Sequence, residues 1–218
     1  MIPRSGHGEG MNPFTAKLWA KQDQHEGDRQ RLFSAVGDAL EATSVLYPGS
    51  YVDIAPSFVF PAVTYVDVDD RARRFFADTS GVLELVQAHR SDDVVPDVQF
   101  VHGDYSQALD LGVQSFDLLV SLYAGFVSEH CTDYLRIGGT LLVNPSHGDA
   151  AMASIDERYE LDAVVKSGSG GYSVDHSDLG RYLIPKTPQE ITIERLHELG
   201  RGIGYTKSPF AYLFTRVS

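Results

Sequence analysis

Between residues 44 and 145 the chain repeats one pattern: a short, nearly all-apolar segment, a polar or turn-forming break, then a stretch with helical spacing. The apolar segments are Ser44-Val45-Leu46-Tyr47, Val63-Thr64-Tyr65-Val66-Asp67-Val68, Val98-Gln99-Phe100-Val101-His102, Phe116-Asp117-Leu118-Leu119-Val120-Ser121 and Thr140-Leu141-Leu142-Val143-Asn144. Strands of near-continuous apolar character are buried on both faces, and strands separated by helices run parallel. The pattern predicts a doubly wound, Rossmann-like α/β sheet.

The intervening helices are expected from about Gln24 to Ala42, Asp70 to Ala77, Val82 to Ala88, and Ser128 to Ile137. In the first of these, Leu32, Val36, Ala39 and Leu40 form an apolar stripe. Gly138-Gly139 reads as a glycine helix end closing the last. Beyond residue 145 the sequence predicts a helix near Ala150 to Arg158 and a strand near Leu161 to Lys166. A Gly-rich excursion, a helix around Pro188 to Leu199 and a final strand over Phe210 to Thr215 follow. Seven strands result, in a single domain over residues 24–218. A flexible or loosely docked arm (1–23) precedes it and a loop insertion (about 167–187) interrupts it.

Composition narrows the function classes. One cysteine, Cys131, among 218 residues excludes an internal disulfide and a Cys-based zinc cluster, and points to a reducing compartment. His7, His25 and His176 are isolated and form no metal set, so no metal is expected. The formal net charge of −12 opposes phosphate backbones, and nucleic acid is not an expected partner. No apolar run approaches the ~18 residues of a membrane span, and the polar, Gly-rich start has no signal-peptide core. The expectation is a soluble cytoplasmic protein acting on a small molecule, with a homodimer allowed.

In an open α/β sheet a ligand sits beyond the carboxyl ends of the strands, where the strand order reverses. Asp67 ends the second strand eighteen positions after Gly49. A carboxylate there is placed to accept from two ribose hydroxyls, and the alternative is a helix cap. Asp69 is read as the cap. Asp104 ends the third strand, where it either meets an exocyclic amine or closes a turn on its own backbone. A dinucleotide fingerprint would need glycines at 51 and 54, where Tyr51 and Ile54 stand.

Val45-Leu46-Tyr47-Pro48-Gly49-Ser50, Tyr65-Val66-Asp67-Val68-Asp69, Val101-His102-Gly103-Asp104, Phe116 to Ser121, and Leu135-Arg136-Ile137-Gly138-Gly139-Thr140-Leu141-Leu142-Val143 occur in order. Together they resemble the successive motifs of class I S-adenosylmethionine-dependent methyltransferases over roughly residues 40–145. The resemblance implies S-adenosylmethionine as cofactor and a final antiparallel strand at the C-terminus. It places Gly49 under the methionine part, Asp67 on the ribose and Asp104 on the adenine amine. Tyr47, Ser50, Asp53 and Ser121 complete the expected cofactor contacts.

The glycine loop departs from the family pattern. Tyr47 holds the acidic slot, and Tyr51 and Asp53 hold later glycine slots, where a side chain occupies space a ligand would use. Pro56 and Pro61 leave room for only a short helix after the loop. Either Asp53 replaces the missing carboxylate near the cofactor's ammonium group, or the site binds a ligand or partner without turnover. For a hydroxyl or amine acceptor, His147 is the first candidate base and Tyr123 the second. Ser146, His147 and Asp149 lie too close in sequence for an acyl-transfer triad, and no G-x-S-x-G elbow is present. The Gly168–Gly171 excursion reads as a lid, an oligomer contact or a plain surface hairpin.

Overall fold

The structure, a computed structural model, describes residues 10–218. Expectations for residues 1–9, His7 among them, lie outside the described residues. Strands β1 (Ser44–Pro48), β2 (Ala62–Asp67), β3 (Asp97–His102), β4 (Phe116–Ser121) and β5 (Leu135–Val143) pair in parallel, in the order β3-β2-β1-β4-β5. The chain runs outward from β1 through β2 to β3, then returns to the other side of β1 as β4. The strand order therefore reverses between β1 and β4.

Beyond β5 the sheet continues with β6 (Tyr159–Gly168), β7 (Gly171–Asp175) and β8 (Ala211–Arg216), in the order β5-β8-β6-β7. β8 is antiparallel to both β5 and β6, as the resemblance implied for the C-terminal strand. The sheet has eight strands where the sequence suggested seven. The eighth, β7, comes from the expected insertion, whose Gly-rich residues form the turn of a β6–β7 hairpin. Its Tyr172 hydroxyl donates to Asp28 Oδ2 at 2.9 Å, so the hairpin is fastened to a neighbouring helix.

Alternation along each strand sends side chains to two apolar layers, with period 2. Val45, Tyr47, Leu118 and Val120 face one layer; Leu46, Leu119, Leu141 and Val143 face the other. Helices α1 (Pro13–Gln22), α2 (Asp28–Ala39), α3 (Asp70–Phe76) and α4 (Thr79–His89) cover the first layer. α5 (Val127–Cys131), α6 (Asp149–Ile155) and α7 (Ile193–Leu199) cover the second. No helix among the described residues is long and apolar enough to cross a membrane.

Four expectations are corrected. The segment expected as a flexible arm is helical over Pro13–Gln22, capped by Asn12, with Trp19 buried edge-on to Phe58 at 5.6 Å and His89 at 5.9 Å. The helix expected from Gln24 begins at Asp28, because Gly27 turns left-handed at φ +71°; its buried stripe is Leu32, Phe33 and Val36, with Ala39 exposed. The helix expected to end at Gly138-Gly139 stops at Cys131 and passes through a 3-10 turn. Leu135 onward is strand, and the glycines form a bulge with Gly138 at φ +77°. Finally, the Pro188–Leu199 helix starts only at Ile193, where the Thr192 side chain caps it. The two prolines do limit the chain after β1 to one 3-10 turn, Ala55–Phe58.

Candidate active site at the carboxyl ends of the strands

The turn after β1 is built around Gly49 and Asp67. Gly49 adopts φ +65°, and its N–H donates to the Val66 carbonyl at 2.8 Å. Tyr51, in a glycine slot of the motif, is also left-handed at φ +49°, a conformation costing a non-glycine residue roughly 1 kcal/mol. Asp67 holds it there: Oδ2 accepts the Tyr51 N–H at 2.7 Å, and Oδ1 accepts the Asp69 N–H at 2.8 Å. A carboxylate has about four acceptor positions, so one remains on each oxygen. Asp69 is the α3 cap, as expected.

Below the turn, Tyr47 is a core residue. Its ring lies 6.3 Å from Phe33 and 6.2 Å from Tyr65, and its hydroxyl donates to Asp53 Oδ2 at 3.1 Å. Burial, and then the neighbouring Asp53 charge, push the Tyr47 phenol well above its ordinary range. Asp53 is itself buried, which raises its carboxyl although Arg29 pulls the other way from 3.3 Å. Burial opposes the Arg29 charge, yet Tyr47 and Asp53 together leave its guanidinium more firmly protonated than usual. Ser50 is buried beside them.

The loop after β4 is fixed by a buried carboxylate. Asp149, at the start of α6, accepts from Ser121 Oγ at 2.5 Å, from the Ser128 N–H at 3.1 Å and from the Ser128 hydroxyl. Burial raises the Asp149 carboxyl to about 6, against the pull of its hydrogen bonds from Ser121 and Ser128. Ser121, expected as a cofactor contact, is thus spent on Asp149. Between these anchors Tyr123 turns left-handed at φ +58°, its N–H donating to buried Asn144 Oδ1 at 3.3 Å. Next to it Ala124 lies against the turn after β1: a Cβ on Gly49 would stand 2.8 Å from the Ala124 Cβ and 3.6 Å from the Tyr105 ring. Tyr105 is tied to the same loop, its hydroxyl accepting the Gly125 N–H at 2.9 Å.

Two pockets open beside these loops. One, of about 370 Å³, lies between the α1–α2 connection and the β1 and β4 turns and includes Lys21, His25, Arg29, Tyr51 and Tyr123. The second, of about 530 Å³, lies over the end of β5, among Asn144, Ser146, Arg201 and Ile203. Tyr123 and Phe210 line both. Arg29 stacks over the Tyr123 ring at 5.0 Å, and Arg71 over the Tyr51 ring at 5.1 Å.

The structure gathers Gly49, Ser50 and Asp53 in the turn after β1, with Tyr47 beneath it and Asp67 beside it at the end of β2, and sets Tyr123 next to them. Asp104 and His147 stand apart. Asp104 is exposed and accepts the Ser106 N–H at 2.9 Å, the turn alternative for this residue, which together with the Ser106 side chain lowers its pKa. His147 is exposed, with Nδ1 2.9 Å from Ser146 Oγ, and lines neither pocket. Arg29, Asn144 and Asp149 emerge as site residues that sequence reading did not assign. Only the position of Asn144 and Asp149 after the fifth strand hinted at them, and nothing marked Arg29.

No protein-family model matches the chain, and no curated protein matches it in sequence. Solved structures do resemble it. A Klebsiella pneumoniae protein assigned as an O-methyltransferase superposes with a TM-score of 0.50 at 13% identity, covering 75% of this chain and 87% of its own. Cofactor-bound Rv0187 from MTB gives 0.49 at 15% identity, with coverages of 75% and 87%. The O-methyltransferase from Bacillus cereus in complex with SAH gives 0.47 at 11%, with 80% and 90%. With its parallel half, its reversal between β1 and β4 and its antiparallel β8, the chain has the class I methyltransferase fold.

Proposed function

We propose that the protein transfers a methyl group from S-adenosylmethionine to a small-molecule acceptor. The observation that carries this reading is the pocket between Tyr51 and Tyr123. It opens where the strand order reverses between β1 and β4, the position at which doubly wound sheets bind ligands. The likeness to solved methyltransferases supports it at the level of fold.

The residues present fit the group. Asp67 retains an acceptor position on each oxygen for two ribose hydroxyls, and the left-handed Gly49 keeps the turn on which the family's cofactor rests. Asp53 and Ser50 are the side chains the resemblance assigns to the amino-acid end and Asp104 the one it assigns to the base, which Asp104 would have to leave its Ser106 turn to reach. The cofactor brings an electrophilic sulfonium methyl. The chain's own work is to align the acceptor and exclude water. Tyr123 lines both pockets, so its side chain, acting as the phenolate and becoming the phenol, is the group we assign to take a proton from a hydroxyl or amine acceptor; His147 is the second choice.

A second reading, a methyltransferase-like protein that binds without turnover, is favoured by one observation. Ala124 and Tyr105 pack on the side of Gly49 toward which a Cβ would project, and neither pocket reaches Asp67 or Asp104. Calorimetric titration with S-adenosylmethionine and S-adenosylhomocysteine separates the two. The first reading expects dissociation constants of about 1–100 µM, weakened roughly tenfold in Asp67→Ala by loss of the charged acceptor. Absence of heat and of any melting shift at millimolar ligand would leave the second.

A further inference from the structure

Arg29 has no part in the resemblance on which the methyl-transfer reading rests, yet it is the cation most tightly held in the pocket. It enters from the first turn of α2 with its side chain 19% exposed, its Nε 3.3 Å from Asp53 Oδ2 and its guanidinium over the Tyr123 ring. Asp53 also takes the Tyr47 hydroxyl, so the anchor is itself fixed in the core. Among the described residues Asp53 is the one polar partner of this guanidinium, met through Nε. The two terminal nitrogens carry four N–H donors that no acceptor among the described residues uses.

Charge balance at the pocket points the same way. Lys21 lines it and pairs with no acid among the described residues. Asp28 is already engaged: it accepts from the Tyr172 hydroxyl at 2.9 Å and faces Arg31 at 3.4 Å. The lining itself holds Lys21 and Arg29 against Asp28 alone, a surplus of one positive charge, although Asp23 in the same α1–α2 connection carries its charge near Asp53. A planar guanidinium with free, fixed donors suits bidentate pairing with a carboxylate, and a single surplus charge suits a monoanion.

We infer that Arg29, assisted by Lys21, is the receptor for one carboxylate of the ligand bound between the β1 and β4 turns. The inference shares its pocket with the methyl-transfer reading but rests on these cations alone. The carboxylate has two sources, the amino-acid end of the cofactor or an acid group on the acceptor.

The test follows the arginine side-chain signals of the 15N-labelled wild-type protein during titration with three probes. These are S-adenosylhomocysteine, its decarboxylated analogue and sodium benzoate; Arg29→Lys identifies the Arg29 signals, and calorimetry gives the affinities. If the cofactor supplies the carboxylate, S-adenosylhomocysteine moves the Arg29 signals and binds about 10- to 100-fold more tightly than the decarboxylated analogue. That ratio collapses in Arg29→Lys, which keeps the charge and loses the fork. If the acceptor supplies it, the two nucleosides bind alike and benzoate moves Arg29. Benzoate moving Arg29 while neither nucleoside binds would remove the methyl-transfer reading and leave this one standing. Arg29 signals that respond to none of the three probes, with affinities unchanged in Arg29→Lys, overturn it.

Discussion

Asp149→Asn isolates the buried carboxylate that fixes the loop carrying Tyr123. The Asp149 carboxyl is raised from 3.8 to about 6 in the folded chain, mainly by burial. Between those values the folded state holds a proton that the unfolded state has lost, so stability falls as pH rises. The protonated form contributes fully below about pH 4, and its contribution is gone above about pH 7. At 1.36 kcal/mol per pH unit the whole window is worth about 3 kcal/mol, of which about 2 kcal/mol lies between pH 4.5 and 7. Asparagine cannot titrate but keeps an acceptor for Ser121 or Ser128. Urea unfolding of both proteins at several pH values should therefore show Asp149→Asn gaining about 2 kcal/mol on the wild type from pH 4.5 to 7. In melting temperature that is about 4–8 °C for a chain of this size. A stability difference that stays flat across this range would refute the placement of an ionisable group in that cluster.

Three further outcomes follow from the same contacts. Gly49→Ala sets a Cβ 2.8 Å from Ala124 on a left-handed residue, and should lower stability by about 1–3 kcal/mol in thermal melts, with Ser50→Ala close to neutral by comparison. Trp19→Ala removes the buried anchor of α1 and should cost about 3–5 kcal/mol in urea unfolding, with new proteolytic cleavage near residues 13–22. Tyr123→Phe keeps the ring under Arg29 and removes the hydroxyl; once an acceptor is found, kcat should fall about 100-fold or more with KM nearly unchanged.

The sheet was legible because its evidence is local. β1, β2, β4 and the second half of β5 are largely buried, mostly apolar runs, while β3, at the sheet edge, alternates and has no fully buried residue; all five stand where the sequence placed strands. The β5 entry was not, because Leu135-Arg136-Ile137-Gly138-Gly139 has the letters of a helix end; only pairing with β4 makes it a strand with a bulge. α1 was missed for a related reason. Pro13 to Gln22 has little amphipathic pattern, and it is held by long-range contacts: Trp19 on Phe58 and His89, Phe14 under Arg74, and the Asn12 N–H donating to Asp78.

The site divides in the same way. Gly49 and Asp67 could be placed by spacing, since the turn and the strand end are set within about twenty residues of one another. Whether Asp67 serves a ligand or the turn depends on the Tyr51 amide, whose left-handed backbone no spacing rule reveals in a tyrosine. Arg29 reaches Asp53 from another element, and Asp149 meets Ser121 and Ser128 across loops. Such partners are chosen by the fold. Asp104 and His147, which lie apart from the other candidates, are exposed residues with a local partner already at hand.

A structure determined from crystals grown with millimolar S-adenosylhomocysteine tests the assignment most directly. The methyl-transfer reading predicts a nucleoside beside the β1 turn, its ribose hydroxyls on Asp67, and Ala124 displaced from Gly49. Crystals grown at that concentration with Ala124 still seated on Gly49 and no nucleoside beside Asp67 would contradict it.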